Sequence, residues 1–266
     1  MKVYYTGDSH FDFDKTNASF QNFINQVSKI NAKDLLVIFG DIHNNRKKRI
    51  QILRTIDNRI KCRCVFIIGN HDFWNLIEPI TKFTVMNQKI RFIDEIKELK
   101  KKNFKKIIVL DNEIRKINGI RIMGSSGYWI SSEFEKSAYL PREIHFLKTI
   151  NKLLNSEKQK LVEQLSKKYI QYFSKKYKEW IDLYATHLKN ADIVVTHQPT
   201  WTWISGEEKL EKNIKYINGH DHYYLGNSFS KRVKGHAFDK TAENNYNDGQ
   251  NTYFGNYRTP IKFFII

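Results

Sequence analysis

Five short runs of strand-forming residues in this chain each end in side chains of the kind that bind metal ions, and few folds can use that pattern. The most demanding is Val65-Phe66-Ile67-Ile68, which runs straight into Gly69-Asn70-His71-Asp72. The others end in Asp8-Ser9-His10, Gly40-Asp41, Thr196-His197-Gln198-Pro199 and Gly219-His220-Asp221-His222. In open α/β sheets ligands bind outside the carboxyl ends of the strands, where loops from several strands converge. The pattern therefore asks for a layered α/β fold that brings five such ends together.

Periodicity supplies the elements. Residues 2–6 read as a first strand, and Thr16 to Ile30 as a helix with Phe20, Phe23, Ile24 and Val27 on one face. Leu35 to Phe39 is apolar without alternation, as in a strand buried on both faces. A polar turn, Asp41 to Asn45, leads to a basic helix over Arg46 to Arg59 and then a strand over Cys64 to Ile68, giving β-α-β-α-β. After Asp72 come a loop or short helix, a Lys-rich stretch from Lys97 to Lys106 and a strand at Ile107 to Leu110. Asn118-Gly119, set between Ile114–Ile117 and Ile120–Met123, predicts a tight antiparallel hairpin. Strands return at Ile193 to Thr196 and Lys215 to Asn218, followed by a tail of short strands.

The segment from about 141 to 190 differs. Leu161, Leu165, Tyr169, Phe173, Tyr177, Trp180 and Tyr184 recur every three or four positions and predict one long amphipathic helix, read as a helical cap inserted into a single domain spanning 1–266. From Arg142 to Lys189 there are 11 Lys and Arg against 5 Asp and Glu. Those lysines either solvate a helix packed on the sheet or guide an anionic substrate.

With 41% hydrophobic and 14% aromatic residues the chain is globular in composition, and no apolar run approaches the roughly 20 residues that span a bilayer. The expectation is a cytoplasmic protein with no membrane association. Cys62 and Cys64 are the only cysteines, which excludes a disulfide framework and predicts reduced thiols. A formal charge of +17 invites a nucleic-acid partner. Abundant Lys, Asn and Ile, which AT-rich codons favour, give that charge a second source. Oligomeric state is not legible.

Asp8 and His10 lie two apart at a strand end, so both can face one point, and His220 and His222 repeat that spacing. With Asp41, Asn70 and His197 they make seven candidate ligands from five loops, enough for two divalent ions sharing the Asp41 carboxylate. The mixed nitrogen and oxygen set suits Mn²⁺, Fe, Ni²⁺ or Zn²⁺ better than Ca²⁺ or Mg²⁺. Two such ions activate water and neutralise a phosphoryl group under in-line attack. His71 is then placed to stabilise or protonate, with Asp72 as an orienting partner. His43 and the run Arg46-Lys47-Lys48-Arg49, tied to the Asp41 loop, are candidate substrate-phosphate contacts.

The ordered set Asp8-Ser9-His10, Gly40-Asp41, Gly69-Asn70-His71-Asp72, Thr196-His197 and Gly219-His220-Asp221-His222 resembles the calcineurin-like metallophosphoesterase superfamily. The resemblance implies a four-layer α/β/β/α sandwich. It also implies that Asp8, His10 and His222 hold one metal and Asn70, His197 and His220 the other, with Asp41 bridging and His71 catalytic. Aspartate after Gly69-Asn70-His71 departs from the protein Ser/Thr phosphatases and favours a bacterial-type phosphohydrolase or phosphodiesterase branch. The expected activity is a dimetal phosphodiesterase acting on a nucleotide or nucleic acid through a metal-bridging hydroxide, manganese being the preferred metal. A small-molecule phosphomonoesterase or a silent binding scaffold are the alternatives.

Overall fold

A computed structural model describes residues 1–12, 18–73, 77–80, 89–126, 156–198, 213–219, 233–235 and 261–266. Four parallel strands form the centre of the first sheet: β1 (Lys2–Thr6), β2 (Leu35–Ile38), β3 (Arg63–Phe66) and β6 (Ile107–Val109). The last strand, β12 (Lys262–Ile265), joins β1 antiparallel, so the order is β12-β1-β2-β3-β6. A hairpin, β4 (Ile77–Ile80) with β5 (Lys89–Phe92), stands apart between β3 and β6 in the chain. The second sheet has the order β11-β10-β9-β8-β7. Its members are β7 (Glu113–Ile117), β8 (Ile120–Ser125), β9 (Ile193–Thr196), β10 (Lys215–Asn218) and β11 (Val233–Gly235). Only β7 runs antiparallel to its neighbour there.

Alternation along the strands sorts the core into layers. Val3, Leu35, Val37, Val65 and Ile67 point to the gap between the sheets and meet Ile122, Ile193, Val195 and Ile217 of the second sheet. Leu36, Ile38, Cys64 and Phe66 point the other way, onto α1 (Ala18–Val27), α2 (Arg46–Arg59) and α3 (Glu95–Lys100). Met123, Val194 and Tyr216 form the outer face of the second sheet. The result is the α/β/β/α sandwich expected from the sequence.

Local chemistry explains the ends. Asn45 caps α2 by accepting from Lys48 N at 3.1 Å, and Asp94 caps α3 from Lys97 N at 3.0 Å. Asn118 and Gly119 adopt φ of 50° and 87°, as a type I′ hairpin requires. The β4–β5 hairpin stands where the sequence suggests a loop or short helix, because no tight-turn dipeptide joins its strands.

The long helix, α4 (Ser156–His187), does more than cover one layer. Tyr169 and Phe173 belong to the cluster on the outer face of the first sheet, while Trp180 belongs to that of the second. Eleven residues of helix advance about 16 Å, enough to cross two sheets packed roughly 10 Å apart. Between these anchors Lys176 pairs with Asp111, and its carbonyl accepts from Asn112 Nδ2 at 2.7 Å, at the corner where β6 passes into β7. The helix thus clasps the edge of the sandwich, and its lysines at 167, 168, 175 and 178 face solvent. Residues 141–155 of the expected cap lie outside the described residues.

Cys62 and Cys64 are free and buried on the helix side of the first sheet. Burial pushes the Cys62 thiol up to about 11 and holds Cys64 well above the usual thiol range. Because the thiolate is the nucleophile, neither cysteine should react with iodoacetamide at about pH 8 in the folded protein, whereas both should be modified in denaturant. Mass spectrometry of the two samples checks this.

Candidate metal centre

The strand ends do not stop at the last ladder bond. Beyond β1 and β2 the two loops stay laced: Asp8 N donates to Gly40 O, His10 N to Asp41 O and Phe11 N to Ile42 O, each at 2.9 Å. Asp8, His10 and Asp41 all take positive φ, at 48°, 40° and 53°. Left-handed backbone at non-glycine residues costs about 1–3 kcal/mol each and gathers where side chains must be aimed. Here it turns two carboxylates and an imidazole inward. Gly40 and Gly69 let the second and third loops touch, since a Cβ on Gly40 would lie 2.3 Å from Gly69 N and one on Gly69 would lie 2.1 Å from Asp41 Oδ1.

Asp8, His10, Asp41, Asn70 and His197 are buried and converge, and His71 is half-buried beside them. Asp41 Oδ2 lies 3.3 Å from His197 Nε2 and 3.8 Å from His10 Nε2. Asn70 Oδ1 is 2.8 Å from His197 Nε2. Among the described residues two groups have ligand atoms within 4.8 Å of one another, His10 with Asp41 and His71, and Asp8 with Asp41 and His197. Asp41 belongs to both. His220 and His222 lie outside the described residues; Gly219, just before them, packs so tightly on Asp8 that a Cβ would meet its Oδ2 at 2.4 Å.

These residues fit divalent cations on grounds internal to the structure. His197 Nδ1 donates to Phe39 O at 2.7 Å, which is how a ligating histidine is oriented, and so presents Nε2 to Asn70 and Asp41. Burial pulls the His197 imidazole down, yet the Asp41 and Asp8 carboxylates overcome it and hold the group up at about 9. Burial likewise raises Asp41, but His197, His71 and His10 draw it well below the usual carboxylate range. The pocket therefore favours positive charge, which a divalent metal ion would supply.

Asp72 does not orient His71. Its Oδ2 accepts from Asp41 N and Gly69 N, both at 3.0 Å, tying the second and third loops together from behind. Burial raises the Asp72 carboxyl to about 6, against the lowering pull of Arg49. The partner of His71 is Asn44, whose Oδ1 lies 2.9 Å from His71 Nδ1. An amide oxygen can only accept, so Nδ1 carries the proton. Sequence reasoning misses Asn44; its one signal is a polar side chain in the turn between Asp41 and the helix cap at Asn45.

Two of the four cations expected to meet phosphate turn inward instead. Arg49 is fully buried, 3.2 Å from Glu95 and 3.7 Å from Asp72, and donates to His43 O at 2.8 Å. Arg46 pairs with Glu95 at 3.0 Å and Glu98 at 3.4 Å. His43 Nδ1 accepts from Asn45 N at 2.8 Å, bracing the loop.

A model of the calcineurin-like phosphoesterase family matches residues 1–224. The chain belongs to that family. The groups above are ligands of the kind that could hold a divalent metal ion. The uncharacterized protein L509 of Acanthamoeba polyphaga mimivirus is 27% identical over 165 residues, covering 61% of this chain and 54% of that protein. The chain thus spans about half the length of the curated relative it matches. Among solved structures, the protein of unknown function AQ665 from Aquifex aeolicus aligns over 82% of this chain and 88% of its own, at 17% identity and a TM-score of 0.34. The phosphopantetheinyl hydrolase of Mycobacterium tuberculosis aligns over 88% of this chain and 87% of its own, at 12% identity and a TM-score of 0.49. Among the described residues, no helix is long and apolar enough to cross a membrane.

Removing the Asp72 carboxylate leaves two buried loop amides without their acceptor and takes from buried Arg49 one of its two carboxylates. Asp72→Ala should lower the unfolding free energy by about 3–5 kcal/mol in urea titrations, while Lys47→Ala on the exposed face of α2 should change it by less than about 0.5 kcal/mol.

Proposed function

We propose that the protein is a dimetal phosphodiesterase acting on a nucleotide or nucleic acid, built as one domain over 1–266 with the helical insertion at about 141–190, and working in the cytoplasm. Asp8, His10 and His222 would hold one cation and Asn70, His197 and His220 the other, with Asp41 shared between them. The observation that carries this reading is that Asp41 belongs to both converging groups, one with His10 and His71 and one with Asp8 and His197, with His10 and His197 both approaching its Oδ2; the division of the ligands between the two cations follows the family resemblance. Mixed imidazole, carboxylate and amide donors favour Mn²⁺, with Fe, Ni²⁺ or Zn²⁺ as substitutes.

When bound, the two ions supply a water-derived nucleophile and neutralise charge on the phosphoryl group. The chain's own groups do the rest. Asp41 sets the spacing of the ligand sets, its carboxylate fixed by His71 N at 2.8 Å on Oδ1. His71 delivers a proton from Nε2 to the leaving oxygen while Asn44 holds Nδ1. Because Asn44 is neutral, it fixes the tautomer of His71 without adding a carboxylate that would retain the proton.

Hydrolysis of bis-p-nitrophenyl phosphate beside p-nitrophenyl phosphate, with Mn²⁺ and with chelator, tests the reading. The diester should turn over faster and chelator should abolish it. Asp41→Asn should lose on the order of 10³-fold in turnover, and His71→Ala about 10²-fold with its metals retained. Monoester turnover alone would point to the phosphomonoesterase, and silence toward both with metal bound would leave the scaffold.

A further inference from the structure

Helix α2 begins at Arg46, directly after the loop that carries Asp41, and its solvent face carries cations without acids. Its buried side is Ile52, Leu53 and Ile56, with Arg49 turned to Asp72 and Glu95. Its one acid, Asp57, is buried and accepts from Lys105 N, Lys106 N and Ile107 N at 2.8, 2.7 and 3.0 Å. That leaves Lys47, Lys48, Gln51, Arg54, Asn58 and Arg59 exposed, spaced as one stripe along the helix. Asp57 also draws the entry to β6, with exposed Lys105, against the far end of α2, which exposed Lys61 follows in the chain.

The other lysine-rich surfaces are built differently. Beside α3, Lys100 pairs with Glu113 and Lys101 with Glu98; on α4 Lys175 and Lys176 pair with Glu179, and although Lys167, Lys168 and Lys178 have no acid partner among the described residues, Glu163, Glu179 and Asp182 lie among the lysines of that helix. Among the described residues no such partner stands against Lys47, Lys48, Arg54, Arg59, Lys61 or Lys105. An excess set only by codon usage would scatter its acids evenly; here they are absent from the exposed face of the helix that starts at the Asp41 loop. From Lys47 to Arg59 the stripe runs about 18 Å, the rise of roughly five phosphates along a strand stacked as in duplex DNA.

We propose that the exposed face of α2, continued by Lys61 and Lys105, is a track for a nucleic-acid backbone that leads a single strand to the metal centre. The proposal rests on the diesterase reading for its purpose and stands apart from it in its test. Flanking phosphates lie along Lys47, Lys48 and Arg54 while one phosphate occupies the site, so the enzyme takes a polymer in preference to a free nucleotide.

The test is fluorescence anisotropy of a nuclease-resistant phosphorothioate oligonucleotide of about 20 residues, with the metal-loaded protein, across roughly 50–200 mM salt. Each phosphate contact to a single strand adds about 0.7 to the slope of log affinity against log salt, so Lys47→Gln/Lys48→Gln/Arg54→Gln should flatten it by about 2 and weaken binding roughly 100-fold at about 0.1 M salt. Lys167→Gln/Lys168→Gln/Lys178→Gln on α4 removes the same charge away from the track and should weaken binding by less than about threefold, since exposed charges beyond a Debye length are screened. Equal losses in the two variants, or no binding by the parent protein, would overturn the track. Salt-sensitive binding lost only in the α2 variant would uphold it even if the unmodified oligonucleotide were never cut, in which case the diesterase reading alone falls.

Discussion

The carboxylate of Asp72 holds the centre together without being aimed into it. By accepting the amides of Asp41 and Gly69 it fixes the residue shared by both ligand groups and the residue just before Asn70. Those amides lie in a layer that excludes water, where an unmade hydrogen bond costs about 1–3 kcal/mol. Asp72 is itself buried and depends on Arg49, which depends in turn on Glu95 at the start of α3. The geometry at the metal centre is thus set by a chain of buried charges reaching back into the helical layer. That arrangement answers the strain of three left-handed residues, Asp8, His10 and Asp41, which the loops would otherwise relax.

Much of this is legible in the sequence because the fold writes its strands as apolar runs and its chemistry at their carboxyl ends. The limits of β1, α2, β9 and β10 follow the expected ones closely, and Asp8, His10, Asp41, Asn70, His71 and His197 come together. Pairings between loops are not legible. Asp72 follows His71 in the chain, which suggests that it serves His71, yet a helical turn points adjacent side chains apart and sends Asp72 back toward Asp41. Arg49 reads as one of four surface cations; only the packing of α2 on the first sheet shows that it faces inward.

The clasp by α4 ties the helical layer to the metal centre. Phe73, at the end of the turn that begins with His71, stacks edge-to-face on Phe173 with ring centroids 5.5 Å apart. The same helix anchors Trp180 on the second sheet, from which His197 projects. A ligand set drawn from both sheets needs their relative position held, and a single helix pinned to the outer face of each supplies that constraint. The aromatic periodicity that predicts a long helix is the mark of this role.

Anomalous scattering from a crystal grown with Mn²⁺ tests the central claim, a carboxylate shared between two ions, most directly. Two peaks roughly 3.5–4 Å apart, each within bonding distance of the Asp41 carboxylate, are the expected result. A single peak, or a pair that Asp41 does not bridge, would contradict it.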